Sequence, residues 1–326
     1  MNYPLRILKS FSLCKSFVIS CAMENLEQIE HTIVEDNYTL HRRFDRMGRL
    51  VGDENMKKLF NSHVMIIGLG GVGSWAAESL ARSGVGQLTL IDHDEICITN
   101  ANRQLHALQG LVGKKKAEVM SERLRKINPQ AKVNSLPMFY NKDTSEQILA
   151  HKPDFIVDAI DNLTAKTYLL NQCREQNIKV ITSGGASAKM DPTRIKITDL
   201  AKTEIDPMSH TVRKILRQDY NFPRTKFFDI PCVFSDEIPM EPVELHYDLG
   251  QGFKCVCPQM QDNPHGCLHR NVIYGTSSFV TGAFGLAMAS WVVRQITGIE
   301  ATLSAGPKKK LRTPRIPLTV ETQASL

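Results

Sequence analysis

The chain has 326 residues, of which 42% are hydrophobic and 23% are charged, and its formal net charge at pH 7 is +6. This composition is that of an ordinary soluble globular chain, long enough to bury a substantial core. The mild positive charge is compatible with a nucleic-acid partner but identifies none, and eight cysteines are too few for a disulfide scaffold. We therefore expect reduced thiols and a cytoplasmic location.

The first 22 residues are basic and contain no acidic residue. Lys15 interrupts their apolar run and leaves it shorter than the ~7–15 residues of a signal-peptide core. We expect residues 1–40 to be an N-terminal extension, either disordered or a targeting segment, with a possible internal start at Met23. A mitochondrial presequence is the alternative, because such segments are basic, contain serine and lack acids.

A glycine-rich turn between two apolar runs is the most informative stretch of the chain. The run 63–67 ends at Gly68, a helix-like run begins at Val72, and a second apolar run, 87–91, ends at Asp92. This order is typical of a strand, a tight turn, a helix and a parallel strand, in which the turn holds phosphate. The pattern predicts an adenosine-phosphate ligand.

The glycines of this turn have separate expected roles. Gly68 can form the turn itself, while Gly70 and Gly71 let backbone N–H groups approach an anion. Gly73 lets the helix lie close to the strand. Asp92 comes about 20 residues later, where a carboxylate can accept hydrogen bonds from ribose hydroxyls.

Further strands and helices alternate after this unit. Hydrophobic periodicity predicts helices at about 113–127, 143–149 and 161–176, and strands at 132–136, 154–158, 179–183 and 194–198. Such alternation implies an α/β fold with a Rossmann-like, doubly wound, mostly parallel sheet that is covered by helices on both faces.

The periodic pattern fades after the last of these strands. Residues 219–275 are expected to form a long crossover insertion, and 301–326 a basic flexible tail. The segment 271–293 contains no charged residue and is long enough to span a bilayer. Its serines and threonines favour a buried helix instead, at a subunit interface where Gly282 and Gly285 allow close packing; membrane contact is the disfavoured interpretation.

The glycine turn fits NAD as well as ATP, so the choice depends on the residues downstream of it. Attack on the α-phosphate of ATP builds up negative charge that cations must meet, whereas hydride transfer does not. Asn100, Arg103 and Lys116 are candidates for this role, with Asp161 as a magnesium ligand beyond a strand end. Together they favour ATP over a dehydrogenase. They also argue against a catalytically silent scaffold, which need not keep such a cluster.

The chain resembles the ubiquitin-activating-enzyme-like superfamily, which includes the enzymes that adenylate molybdopterin and thiamine sulfur carriers. The resemblance implies a ThiF/MoeB-type adenylation fold, with residues 41–300 as the ATP-binding adenylation domain. The motifs that carry it are Arg43–Arg46, Gly68–Gly73, Asp92, Thr99–Gln104, Gly113–Lys116 and Asp158–Asn162.

This resemblance also implies roles for single residues. Gly71 would contact phosphate, Asp92 the ribose, and Asp161 a magnesium ion next to Asn162. Arg46 would reach across a homodimer interface as an arginine finger. The residues that would contact the triphosphate are Asn100, Arg103 and Lys116, with Lys115 as an alternative to Lys116.

Within the superfamily, the chain looks most like the tRNA threonylcarbamoyladenosine dehydratases. The resemblance extends over about residues 40–297, through motifs at Val72–Glu78, Lys116–Met120, Asp191–Thr203 and Cys232–Ser235. It implies ATP- and Mg²⁺-dependent dehydration of threonylcarbamoyladenosine next to the anticodon of tRNA, through adenylation of the threonyl carboxylate and ring closure. The alternative substrate is the C-terminal glycine of a ubiquitin-like sulfur-carrier protein.

The cysteines leave two questions open. Cys255, Cys257 and Cys267 lack the Cys-x-x-Cys spacing of a zinc knuckle, which favours loop cysteines without a metal. Cys232 is either a buried thiol or a catalytic sulfur acceptor, and in the second case a cysteine-desulfurase or other sulfur-transfer protein would be a partner.

Overall fold

Seven strands and eight α-helices alternate along residues 38–246 and 273–300, the part of the chain that the computed structural model describes. The strands are β1 (His63–Ile67), β2 (Gln87–Ile91), β3 (Lys132–Leu136), β4 (Phe155–Asp158), β5 (Lys179–Ser183), β6 (Ile195–Asp199) and β7 (Pro231–Ser235). The helices are α1 (Asp45–Val51), α2 (Asp53–Asn61), α3 (Gly73–Arg82), α4 (Lys116–Ile127), α5 (Ser145–Leu149), α6 (Leu163–Glu175), α7 (Pro207–Asp219) and α8 (Ser278–Thr297).

All seven strands form one sheet, in the order β3-β2-β1-β4-β5-β7-β6. Every neighbouring pair is parallel except β6 and β7, which are antiparallel. The chain runs outward from β1 to β3 and then returns to place β4 on the other side of β1. Ile67 therefore pairs with both Ile91 and Asp158, so the carboxyl ends of the three strands meet at the switch point where such sheets bind ligands.

Helices cover both faces of the sheet. Alternate residues of a strand point to opposite sides, so each face has its own set of buried side chains. In β1, Val64 and Ile66 belong to one buried cluster, with side chains of α2, α3, α4 and α8, while Met65 and Ile67 belong to another, with α5, α6 and α7. The predicted doubly wound, mostly parallel α/β sheet is thereby confirmed.

Helix α8 packs inside the chain, against α3 and the sheet. A Cβ atom at Gly285 would lie 2.3 Å from the Val72 carbonyl oxygen, and one at Gly282 would lie 3.3 Å from the Trp75 ring. These glycines serve an intramolecular helix contact, so the predicted subunit interface at this pair is wrong. Among the described residues α8 alone is long and apolar enough to cross a membrane, and half of its most apolar window is buried in the protein.

Two predicted boundaries were wrong. Helix α4 begins at Lys116 rather than near residue 113, because 113–115 pair with the loop after β2. The stretch 219–275 was predicted to be an irregular crossover, yet its residues 231–235 form β7, inserted between β5 and β6. The strand is short and lies among prolines, so it lacks a readable period.

Several predictions concern residues outside the described ranges. These are the N-terminal extension, the cysteines at 255, 257 and 267, and the basic tail at 301–326. They stay predictions, as do the boundaries of the 41–300 domain.

Candidate functional site

The glycine turn links the end of β1 to the start of α3. Gly68 has a φ of +91°, and a Cβ there would lie 2.6 Å from the Ala159 carbonyl oxygen. A Cβ at Gly73 would lie 1.8 Å from the Gly68 carbonyl oxygen, so this position needs glycine for the helix to approach the strand. Gly70, in contrast, has no heavy atom within 4 Å of where its Cβ would be. The turn is therefore closed on its inner side and open at Gly70, as a phosphate-binding turn requires.

Asp92 braces this turn from the end of β2. Its Oδ2 accepts a hydrogen bond of 2.7 Å from the backbone N–H of Leu69, and its Oδ1 accepts one of 2.9 Å from that of Asp94. The side chain is 8% exposed. Burial, which outweighs the nearby charge of Lys116, raises the pKa of the Asp92 carboxyl. Asp92 thus positions the turn in addition to any contact with a ribose.

Lys116 lies beside Asp92 because the loop after β2 pairs with the start of α4. The N–H of Lys116 donates to the carbonyl of Asp94 at 3.1 Å, and its Nζ lies 2.7 Å from Asp94 Oδ2. Burial alone would lower the pKa of Lys116, but the charges of Asp92, Asp94 and Asp161 raise it. The ammonium is therefore held charged at the edge of the turn.

The neighbouring lysine points elsewhere. Lys115 Nζ lies 3.2 Å from Glu95 and 3.3 Å from the His93 carbonyl oxygen. Of the two lysines left open by the sequence, only Lys116 joins the cluster of carboxylates at the strand ends.

Asp161 and Asn162 follow β4 on the other side of the turn. The Asn162 Oδ1 accepts a 3.0 Å hydrogen bond from the Ala165 N–H and caps α6, while Asp161 is exposed. Below them, Asp158 holds the loop, because its Oδ1 accepts from the Ile160 N–H at 3.1 Å and its Oδ2 from the buried Lys166 ammonium at 2.6 Å. The loop that presents Asp161 is thereby fixed from beneath.

Asn100 and Arg103 lie on the segment after β2. Asn100 is buried, and its Oδ1 accepts from the Cys97 N–H at 3.1 Å, so it stabilises a short 3-10 helix, Ile98–Asn100. Arg103 lies next to the turn, since its Cγ is 3.2 Å from where a Cβ of Gly71 would be. Its backbone carbonyl accepts from the Trp75 indole at 3.1 Å. The Arg103 side chain therefore lies against Gly71, while its Nη1 donates to the Thr99 carbonyl and to Asn102 Oδ1, each at 2.9 Å.

Arg46 stands apart from this cluster. It lies on α1, its side chain is 94% exposed, and its Nε is 3.8 Å from the carboxylate of its neighbour Asp45. Within the described part of the chain, no contact links Arg46 to the glycine turn.

Of the two alternatives that the sequence leaves open for Cys232, the structure favours the buried thiol. The residue lies in β7 between β5 and β6, with no exposed surface, and its Sγ is 3.8 Å from the Ser209 hydroxyl. Burial raises the pKa of the thiol to about 12, which suppresses the nucleophilic thiolate. Cys232 is a packed core thiol.

Two residues have roles at the site that were not predicted from the sequence. Asp94, two residues after Asp92, holds Lys116, and Asp158, the first acid of the 158–162 motif, holds the Asp161 loop. The signal for both was present, since each is an acid close to a strand end.

The donor set fits a magnesium ion beside a nucleotide. Three carboxylates, those of Asp92, Asp94 and Asp161, act on the ammonium of Lys116. Asp92, His93 and Asp94 also bring ligand atoms within 4.8 Å of one another. Carboxylate oxygens are ligands that Mg²⁺ prefers.

Comparisons with known proteins agree with this geometry. The sequence profile of the ThiF family matches residues 44–317. The chain is 41% identical over 266 residues to the tRNA threonylcarbamoyladenosine dehydratase of Haemophilus influenzae, covering 80% of this chain and 95% of that protein. It is 38% identical to the Escherichia coli enzyme of the same name, covering 78% and 93% of the two chains.

A solved structure is similar over the same extent. The crystal structure of the E. coli tRNA N6-threonylcarbamoyladenosine dehydratase in complex with ATP has a TM-score of 0.68 and 36% sequence identity, covering 79% of this chain and 94% of that one. This chain belongs to the ThiF family and, within it, to the tRNA threonylcarbamoyladenosine dehydratases.

Proposed function

We propose that this protein uses ATP to dehydrate N6-threonylcarbamoyladenosine in tRNA to its cyclic form. The observation that carries the proposal is the charged ammonium of Lys116, buried among Asp92, Asp94 and Asp161 at an open glycine turn. This is the arrangement that chemistry at an inner phosphate of ATP needs. Membership of the dehydratase family supports the choice of substrate.

The first step energises a poor electrophile. A carboxylate oxygen of the threonyl group attacks the α-phosphorus of ATP, the P–O bond to the outer phosphates breaks, and pyrophosphate leaves. In this step the backbone N–H groups at Gly70 and Gly71, with Lys116 and Arg103, would meet the developing negative charge. The product is an acyl adenylate, a mixed anhydride with AMP as its leaving group.

The second step closes the ring. The carbamoyl nitrogen attacks the activated carbonyl carbon, a C–N bond forms, the C–O bond to AMP breaks, and the nitrogen loses a proton. Because the nucleophile is tethered to the electrophile, proximity accelerates this step. ATP becomes AMP and pyrophosphate, and the nucleoside loses the elements of water.

We propose Asp161 as the ligand of Mg²⁺. Bound with the nucleotide, the ion would supply Lewis-acid stabilisation of phosphate charge. We expect Asp161→Ala to abolish ATP turnover without unfolding the protein, and Asp143→Ala, at another exposed acid, to change neither. Wild-type turnover by Asp161→Ala would remove this residue from the mechanism.

A homodimer with Arg46 as a shared residue completes the proposed site. The support is that Arg46 is exposed on its own chain and stands apart from the cluster, as a residue that acts on a partner's nucleotide would. A cytoplasmic location is also proposed, with a mitochondrial one as the alternative if residues 1–22 are a presequence. The burial of Cys232 gives a sulfur-transfer partner no support.

Mass spectrometry of nucleosides tests the proposed reaction. Wild-type protein, ATP and Mg²⁺ are incubated with tRNA that carries threonylcarbamoyladenosine, and the digest is searched for a nucleoside that has lost one water. The proposal expects this product and its absence without ATP. If pyrophosphate exchange instead requires a ubiquitin-like sulfur carrier and tRNA stays unchanged, the alternative substrate is correct.

A further inference from the structure

The site leaves one side of the sheet edge open for the substrate. Asp92 follows β2, the glycine turn follows β1 and Asp161 follows β4, so the nucleotide occupies the ends of these three strands. The parallel strands β5 and β7 reach the same edge. The Gly185 N–H, just after β5, donates to both carboxylate oxygens of Asp206, at 3.2 and 3.1 Å. Asp206 caps α7, so this helix begins beside the edge that the substrate must enter.

Six cations lie on α7 and on the segments that precede and follow it, and we call this set the α7 basic patch. The Lys202 ammonium lies 5.2 Å from the centre of the Phe227 ring. The Arg217 Nε donates to the Pro223 carbonyl at 3.4 Å, and Arg213 donates to the Thr203 hydroxyl. The six cations of the patch are Lys202, Arg213, Lys214, Arg217, Arg224 and Lys226.

These cations lack the carboxylate partners that other surface cations have. Elsewhere Glu78 pairs with Arg82 and Arg123, and Asp236 pairs with Arg194. Within residues 38–246 and 273–300, no member of the patch forms an ion pair with a carboxylate. The exposed acids of the same stretch are Glu204, Asp219 and Asp229, half as many as the cations. An uncompensated positive surface of this kind attracts a polyanion.

The patch also carries an exposed aromatic ring. Phe227 is 57% exposed, next to the loop cations Arg224 and Lys226. Exposed phenylalanine beside lysine and arginine is typical of surfaces that bind RNA, since the ring can stack on a base while the cations meet phosphates. An acidic protein could use both features as well, and it is the proposed tRNA substrate that favours RNA as the occupant.

We infer that the α7 basic patch binds the tRNA backbone flanking the modified adenosine, with Phe227 as a stacking platform. The inference rests on the proposed function, which places the adenosine at the sheet edge. At 1.5 Å per residue, Arg213 lies about 10 Å and Arg217 about 16 Å along α7 from Asp206. Phosphates of the nucleotides beside the target base would have to lie within this range of the edge.

A matched pair of double variants tests the patch. Arg224→Ala/Lys226→Ala removes two exposed patch cations, and Lys126→Ala/Lys132→Ala removes two exposed cations from α4 and β3. Affinity for tRNA is measured by fluorescence anisotropy at several salt concentrations, KM and kcat by product formation, and ATP binding by thermal shift. The patch variant is expected to raise Kd and KM for tRNA at least tenfold, with kcat and ATP binding retained. For this variant, the slope of log Kd plotted against the logarithm of the salt concentration should fall by about 2.

Phe227→Ala is measured beside the double variants. The inference expects it to weaken tRNA binding several-fold with the salt slope unchanged, because stacking is not electrostatic. If the patch variant matches the Lys126→Ala/Lys132→Ala variant in Kd, KM and salt slope while the wild type cyclises tRNA, the patch is not the RNA surface and an acidic protein is the better partner. If the wild type binds tRNA but never cyclises it, the proposed function is wrong. In that case the Kd values of the two double variants still show whether the patch binds tRNA.

Discussion

Gly70 and Gly73, at the two ends of the glycine turn, differ in whether an added methyl group would fit. At Gly70 an added Cβ meets nothing within 4 Å, whereas at Gly73 it would lie 1.8 Å from the Gly68 carbonyl oxygen. The first position is open for a ligand and the second is filled by the protein itself. The structure thus separates a glycine that leaves open space from one that the fold itself requires.

We predict that Gly70→Ala folds with a thermal midpoint near that of the wild type but binds ATP at least tenfold more weakly, because the methyl group occupies phosphate space. Gly73→Ala should lose several kcal/mol of unfolding free energy, because a backbone atom cannot move aside cheaply. Thermal denaturation with and without ATP measures both effects. Undiminished ATP binding by Gly70→Ala would mean that the phosphates lie elsewhere.

His106 makes the fold sensitive to acid. It is 1% exposed, and its Nε2 lies 3.0 Å from Gln104 Oε1. Burial, then the charges of Lys116 and Arg123, lower its pKa to about 3. The unfolded chain protonates this imidazole below about pH 6.5, so acid favours unfolding between about pH 6.5 and 3.

We therefore predict that His106 alone removes about 2 kcal/mol of unfolding free energy between pH 7 and pH 5. In His106→Gln this part of the pH dependence should vanish, whatever the variant's stability at pH 7. Urea unfolding at the two pH values measures it, with His151→Gln, at an exposed imidazole, as the control. Equal pH dependence in His106→Gln and wild type would contradict the assignment.

Sequence alone identifies the site residues whose role follows from their type and spacing. Gly68 and Gly73 lie in the turn and Lys116 lies beside it, because strand, turn and helix signals fix their positions. Their contacts with a nucleotide stay predictions. The role of Asp94 was missed, since it depends on how the loop after β2 pairs with 113–116. The burial of Cys232 could not be known before β7 was known to lie inside the sheet.

At the scale of elements, α8 and α3 form the contact on which the turn depends. A Cβ at Gly285 would lie 2.3 Å from the Val72 carbonyl oxygen and 2.8 Å from the Ala76 nitrogen. Val72 immediately precedes α3, whose first turn follows the glycine turn. Helix α8 therefore supports the glycine-turn end of the first βαβ unit.

We predict that Gly285→Ala costs about 1–3 kcal/mol of unfolding free energy and weakens ATP binding, because it pushes α8 away from the start of α3. Gly275→Ala is the control, since nothing lies within 4 Å of a Cβ there. Urea unfolding and ATP titration measure the two effects. A Gly285→Ala protein as stable as the control would show that the two helices are not closely coupled.

Two strands with a clear period, β3 at 132–136 and β5 at 179–183, were predicted to the residue. Strand β4 begins one residue later than predicted, at Phe155, and α4 begins three residues later, at Lys116. Strand β7, which has no clear period, was not predicted. Strand β7 is short and begins at Pro231, so its sequence carries no strand signal. The antiparallel direction of β6 is a tertiary property with no local signal. The glycines of α8 indicated a close helix contact, but not whether the partner was α3 or a second subunit.

At the scale of the whole molecule, we propose that Arg46 of one chain completes the site of a second chain. We predict that Arg46→Ala and Asp161→Ala proteins are each inactive, and that mixing them restores activity. A mixed dimer has one complete site, so a 1:1 mixture should regain about a quarter of wild-type activity if subunits pair at random in a two-fold dimer. Turnover after refolding the two proteins together measures this.

The control mixture is Asp161→Ala with a second, separately tagged Asp161→Ala protein, which should stay inactive. Mixed dimers are purified through two tags, so subunit exchange is verified. Inactive mixed dimers would show that Arg46 does not act across an interface.

The central claim is that the threonyl carboxylate is activated by adenylation at the α-phosphorus of ATP. The most direct measurement follows the carboxylate oxygens. The tRNA is prepared with ¹⁸O in both of them and incubated with the protein, ATP and Mg²⁺ in ordinary water, and the phosphates are weighed by mass spectrometry. We predict one ¹⁸O atom in each AMP formed and none in pyrophosphate. Cyclic product accompanied by unlabelled AMP, or by label in orthophosphate or pyrophosphate, would contradict the account.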